Sequence, residues 1–256
     1  MEKKERLDKI LSNMGYGSRK DVKRIIKEGR IQINGKIIKG NDFKINPYDD
    51  TITLDGERIF YRKYIYLMMN KPKGVVSSTD DPTNRTILDL IDGEYLVFNP
   101  FPAGRLDKDT EGLLLLTNDG KLAHEILSPN RKIDKTYYVE VEGFIEEKHK
   151  DKFYEGITLD DGYKTLPSKL DIIESNLFSK ARLTIREGKY HQVKRMFESL
   201  NMKVVYLKRL SMGSLKLDEN LGLGKYRELT EEEIQLLKEK KWNLWYNLFI
   251  IKIIFR

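Results

Sequence analysis

Three stretches of this chain gather ionisable side chains closely enough to share a site. Segment 104–117, GRLDKDTEGLLLLT, alternates Asp107, Asp109 and Glu111 with Arg105 and Lys108, and Gly112 then leads into four leucines. Four leucines in a row read as a buried strand. Carboxylates set just ahead of such a strand can be held rigidly enough for nucleophilic or acid–base work. The same carboxylates also suit a solvated turn or a magnesium site, and spacing alone does not choose. Segment 186–196, REGKYHQVKRM, interleaves Tyr190 and His191 with Arg186, Lys189, Lys194 and Arg195. Segment 135–143, KTYYVEVEG, reads as one amphipathic strand. Tyr137 and Tyr138 then point to opposite faces, so at most one of them enters a given pocket.

The second segment belongs to a wider positive patch, with 7 basic and 2 acidic residues between 186 and 209. Cations beside aromatic rings suit nucleic acid, charge on the phosphates and rings under unstacked bases. Taken alone, His191 reads as a core or helix-end histidine. The composition narrows the chemistry further. There is no cysteine, which excludes thiolate metal sites, cysteine nucleophiles and disulfide scaffolds. The 3 histidines are widely spaced and form no metal-binding pair. No metal and no cofactor is expected. The N-terminal MEKKERLDKI is too polar for a signal peptide, and no apolar run reaches the roughly 18 residues of a spanning helix. The expectation is a soluble cytoplasmic protein, monomeric and without a membrane partner.

The elements that must position these groups fall into two parts with different charge. Residues 1–44 hold 13 basic and 6 acidic residues, leaving 34 of each sign in the rest, so the whole formal excess of +7 lies in the first sixth of the chain. That asymmetry suggests an electrostatic docking module on a near-neutral body. Leu7, Ile10, Leu11 and Met14 have the spacing of a helix stripe. After Gly15 and Gly17, Ser18 can cap a second helix with Asp21 three residues on. Val22, Ile25 and Ile26 form its apolar stripe, while Arg19, Lys20, Lys23, Arg24 and Lys27 cover the remainder. Gly29 marks its end. Residues 30–33 and 36–38 flank Asn34-Gly35, the signature of a tight hairpin.

Beyond a boundary near 57–63, short strand-like runs follow at 65–69, 75–77, 113–116, 137–141, 181–185 and 204–207. Helical patterns fall after Asn118 and Asp119, at 192–200 and at 230–241. Strands outnumber helices, and several are too close together for crossover connections. The expected fold class is α+β: a small helix-helix-hairpin domain (1–60) and a larger domain (61–241) with a mostly antiparallel mixed sheet flanked by helices. The apolar tail WNLWYNLFIIKIIFR (242–256) has no assigned role.

The N-terminal stretch SRKDVKRIIKEGRIQINGK resembles the RNA-binding domain of the ribosomal protein S-four type over about residues 4–50. Ser18, Arg19, Gly29, Ile33, Asn34 and Gly35 fall in that family's order. The body resembles the pseudouridine synthases of the rRNA branch typified by RsuA. NKPKG (70–74) matches the lead-in motif, and GRLDKDTEGLLLLTNDG (104–120) the signature around the family's aspartate, which falls on Asp107. KTY (135–137) puts the active-site tyrosine on Tyr137. EGKYHQVKRMF (187–197) supplies the basic residue, placed on Lys194 with Arg195 as runner-up. The segments 78–82 and 226–234 look closer to the small-subunit rRNA enzyme than to its large-subunit relatives.

The resemblance implies rRNA as partner, free or in a ribosome assembly intermediate, and a carboxylate at ribose carbon 1′. Asp107 would act as nucleophile, or as a base on the 2′ proton; either route needs it ionised, which a nearby cation such as Lys194 favours. Tyr137 would pack on the extruded base and Arg105 would fill the vacated stack. Lys189, His191 and Arg195 join the α-helical cations Arg19, Lys20, Lys23, Arg24 and Lys27 as RNA contacts. Two alternatives stay open: a synthase acting on large-subunit rRNA, and a non-catalytic RNA-binding assembly factor.

Overall fold

The structure, a computed structural model describing residues 4–239, divides into two units: residues 4–65 with 92–100, and residues 66–91 with 101–239. The tail at 242–256 lies outside the described residues. No helix among the described residues is long and apolar enough to cross a membrane.

In the first unit a two-residue strand, β1 (Glu5–Arg6), runs into α1 (Leu7–Asn13), which buries Leu7, Ile10 and Leu11. The expected capping box forms. Asp21 N–H donates to Ser18 Oγ at 3.2 Å, and Ser18 N–H donates back to Asp21 Oδ2 at 3.2 Å. It starts α2 (Arg19–Lys27), whose Val22 and Ile26 are buried while all five cations are exposed. Asn34 and Gly35 both take positive φ, 51° and 77°, as a two-residue hairpin turn needs, and join β2 (Ile31–Ile33) to β3 (Lys36–Ile37). With β4 (Lys44–Ile45) paired to β1, and β5 (Ile52–Leu54) and β6 (Glu57–Ile59) extending the hairpin in the order β3-β2-β5-β6, ten buried aliphatic residues close a core. A short α3 (Gly93–Leu96) also belongs to this unit.

The second unit is built on a nine-stranded sheet. Its strands are β7 (Tyr66–Lys71), β8 (Phe101–Pro102), β9 (Glu111–Thr117), β10 (Lys135–Glu142), β11 (Lys169–Glu174), β12 (Phe178–Ile185), β13 (Lys203–Met212), β14 (Leu215–Lys216) and β15 (Tyr226–Glu228). The main order is β11-β12-β10-β13-β9-β7-β15, antiparallel throughout except for the parallel β13–β9 contact. Helices α4 (Gly120–Leu127), α5 (Glu147–Glu155), α6 (Gln192–Glu198) and α7 (Glu231–Lys238) flank it. One core gathers Tyr137, Val139, Leu183, Leu207 and α6; another gathers Met68, Leu113, Leu115 and α4. The strand registers put these two sets on opposite faces of the sheet.

The fold class and the capped helices agree with the sequence reading. Residues 75–77 do not form the expected strand: only an isolated bridge from Val76 to Thr86 is present, because Pro72 and the positive φ of Gly74 (88°) turn the chain away from the sheet. The α5 helix had no sequence expectation. EKHKDKFYE buries only His149 and Phe153, too few positions for a visible stripe.

Candidate active site

The loop 105–110 is held by the last residue of β7 and the segment just after it. Lys71 is fully buried, and its ammonium donates to the carbonyls of Thr110 (2.9 Å), Asp107 (3.0 Å) and Pro72 (3.1 Å). Gly74 N–H donates to Lys108 O at 2.8 Å, and Ser77 Oγ donates to Leu106 O at 2.9 Å. Burial lowers Lys71 from the ordinary lysine range to about 8, opposed by the charges of Asp109, Asp107 and Glu111. At the far end of the loop Gly112 has φ 101°, and a Cβ there would stand 2.3 Å from the Arg209 carbonyl oxygen. The close β9–β13 approach therefore requires glycine at this position.

A small pocket opens over this loop, lined by Arg105, Asp107, Tyr137, Lys189, His191 and Lys194 among others. Lys194 Nζ lies 3.6 Å from Asp107 Oδ2 and makes its shorter bonds to Asp109, at 2.7 and 2.8 Å. It thus bridges both carboxylates. Burial raises the Asp109 carboxyl, but the hydrogen bond and charge of Lys194 outweigh it and hold the group below the usual carboxylate range. His191 Nε2 stands 3.7 Å from Asp107 Oδ1. Its backbone is left-handed, φ 49°, and its ring stacks on Tyr190 with centroids 3.8 Å apart. Asp107 keeps 30% of its side chain exposed and Lys194 17%, so the pair is partly dry and open to a ligand. Tyr137, 7% exposed, forms part of the wall.

The loop carrying His191 is fixed by groups that sequence reading missed. Glu187 accepts from Tyr163 Oη (2.6 Å), Leu166 N–H (2.9 Å) and Gln192 Nε2 (2.9 Å), and Gln192 Oε1 accepts from Lys189 N–H (2.9 Å). Nothing in the spacing announces Glu187, two of whose three donors, Tyr163 and Leu166, come from a distant loop. Lys71 did leave a signal: a lysine at the end of the apolar run YLMM, where a side chain must either escape or be satisfied.

Of the expected residues, the pocket brings together Asp107, Tyr137, Lys194, Arg105, Lys189 and His191. Arg195 turns elsewhere. It bonds Asp160 and lies 2.7 Å from Asp161, so Lys194 is the cation near Asp107. Arg105 is exposed at the pocket edge. Arg19, Lys20, Lys23, Arg24 and Lys27 all stand on the α2 surface of the first unit.

Comparison with known proteins gives a consistent picture. A family model described as RNA pseudouridylate synthase matches residues 65–199, and an S4 domain model matches residues 5–50. An uncharacterized RNA pseudouridine synthase of Bacillus subtilis is 51% identical over 91% of this chain and 98% of its own length. The ribosomal small subunit pseudouridine synthase A of Escherichia coli is 40% identical over 90% of this chain and 98% of its own. A crystal structure of a pseudouridylate synthase superposes with a TM-score of 0.64, at 40% identity, over 91% of this chain and 99% of that one.

Proposed function

Because the chain belongs to the RNA pseudouridylate synthase family, we propose that it isomerises one uridine of small-subunit rRNA to pseudouridine, with Asp107, Tyr137 and Lys194 as the catalytic set. The observation that carries this reading is the convergence of those three residues, drawn from three distant segments, on one pocket. The small-subunit choice draws on the Escherichia coli relative.

The reaction breaks the bond from ribose carbon 1′ to the base nitrogen, turns the uracil and rejoins it through carbon 5. The proton lost from carbon 5 is balanced by one gained at the freed nitrogen, so no oxidant or second substrate is needed. Asp107 provides the carboxylate, as nucleophile at carbon 1′ or as base on the 2′ proton. Lys194, shared with Asp109, sets a cation 3.6 Å from that carboxylate. Tyr137 packs against the extruded base, and Arg105 fills the gap left in the RNA stack. Lys189 and His191, which line the pocket, serve the surrounding RNA, whereas Arg195 is taken by Asp160 and Asp161; the α2 cations hold phosphates of structured RNA. The working form is a cytoplasmic monomer acting on rRNA, free or in an assembly intermediate.

Mapping pseudouridine in both rRNAs from cells lacking the protein tests this. Loss of one small-subunit position is expected. Loss of a large-subunit position instead would reassign the substrate, and unchanged maps would leave an RNA-binding factor without this activity.

A further inference from the structure

The catalytic sheet has a second cavity, on the face opposite the pocket. It encloses about 500 Å³, within the range of small-molecule sites. Its wall is made by the immediate neighbours of residues that serve the active site. Asn70 adjoins Lys71, Thr136 adjoins Tyr137, and Lys208 adjoins Leu207, which lines the catalytic pocket. Strand alternation sends each pair to opposite faces. Tyr138 sits between Arg182 of β12 and Lys208 of β13 in register, so both cations share the reverse face, and Lys216 joins them from β14.

Three features set this cavity apart from an ordinary solvated surface. First, Arg182, Lys208 and Lys216 have no carboxylate within ion-pair distance among the described residues, whereas Lys169 on the edge strand β11 and Lys180 on β12 hold Asp171 at 2.8 Å and Glu174 at 2.7 Å. Second, the acids nearby leave the cations a positive balance. Asp218 is taken by Arg227 at 2.7 Å, and Glu111, opposite Lys208 across the parallel pair, accepts from Tyr206 Oη at 2.7 Å; only Glu219 on the rim is uncommitted. Third, Asn70 is 4% exposed, and its Oδ1 is buried without a hydrogen-bond partner, although its Nδ2 donates to Leu221 O at 2.7 Å. Such an orphaned acceptor is uncommon in a folded protein.

We infer that this cavity is a phosphate-binding site on the reverse face of the catalytic sheet. A phosphate ester brings up to two negative charges and several acceptor oxygens for the Arg182 guanidinium and the two ammonium groups, with Ser211 as a hydroxyl donor. The phosphate comes either from the RNA backbone, wrapping past the edge of the sheet, or from a free phosphate ester.

The test uses the full chain, the triple variant Arg182→Gln, Lys208→Gln, Lys216→Gln, and the single variant Lys208→Gln in case the triple does not fold. Inorganic phosphate is titrated at low salt by calorimetry, and affinity for a small-subunit rRNA fragment is measured against salt. A saturable phosphate site whose Kd rises about tenfold or more in the variants supports the proposal, since each tenfold is roughly the worth of one good charge interaction. If the RNA log–log salt slope also falls, by roughly 0.7–0.9 for each phosphate no longer neutralised, the occupant is RNA; if it does not move, the occupant is a free ester. Phosphate titrations identical in wild type and variants overturn the proposal, whatever the RNA does. The phosphate titration needs no isomerase activity, so its outcome is independent of the functional assignment above.

Discussion

Two short basic helices, α2 in the first unit and α6 in the second, carry the same residue types to different ends. On α2, Arg19, Lys20, Lys23 and Lys27 are exposed and have no carboxylate within ion-pair distance among the described residues. On α6 both cations are committed, Lys194 to Asp107 and Asp109, and Arg195 to Asp160 and Asp161. Unpaired surface charge is available to displace counterions from a polyanion, so it sets affinity and salt dependence. A cation already shared between carboxylates adds little to docking but fixes where those carboxylates point. Positive charge in the sequence therefore marks two functions, told apart only by what stands opposite it in space.

The comparison breaks most visibly at Asp107. Asp107→Asn should abolish pseudouridine formation while RNA affinity holds or rises slightly, because an anion leaves the neighbourhood of phosphates. Turnover retained in Asp107→Asn and lost in Asp109→Asn would transfer the chemistry to the other carboxylate. Next, Lys194→Met should lower single-turnover rates by about two orders of magnitude, the scale seen when one preorganised charge-stabilising donor is removed, while RNA affinity changes far less. A Lys194 variant that changes only the RNA Kd would make α6 a docking helix like α2. Third, Lys20→Ala, Lys23→Ala and Lys27→Ala together should weaken RNA binding and reduce its log–log salt slope by roughly 0.7–0.9 for each phosphate they cease to neutralise. Turnover at saturating RNA should stay at the wild-type value.

Smaller effects sharpen the contrast. Lys71 and Lys135, both buried in the second unit, are lowered to about 8 by burial, Lys135 also by the Arg209 charge. Their folded pKa lies below the unfolded value of roughly 10.4. The unfolded chain thus binds protons more tightly above pH 8, and stability should rise from pH 8 towards about 9.5. Urea midpoints at the two pH values should show that rise, and Lys71→Met should reduce it. The smallest effect belongs to Arg195→Met, which should cost a little thermal stability and leave the rate–pH profile as it is in the wild type.

Much of this was legible in the sequence. The capping box at Ser18 and Asp21, the Asn34-Gly35 turn and the α2 stripe are local devices, fixed by residues within a few positions of one another. The leucine run of β9 and the alternation of β10 were likewise visible. What stayed hidden depends on distant partners. No spacing shows that Lys194 would favour Asp109 with its short bonds, that Arg195 would turn to Asp160, or that Glu187 would collect three donors. The Val76 region misled because Pro72 and the positive φ of Gly74 turn its apolar residues out of the sheet, leaving only the Val76–Thr86 bridge.

The position of β13 has a consequence for synthesis of the enzyme. This strand is among the last large elements to be made, yet it lies at the centre of the sheet, between β10 and β9. Until it leaves the ribosome, β7 and β9, next to the loop of Asp107, have no strand joining them to β10, β11 and β12, which carry Tyr137. The first unit, whose strands pair only with each other, waits for no such closure. A nascent chain can thus present its basic helix to RNA well before it owns a complete reaction centre, so recognition matures before chemistry on the time scale of translation.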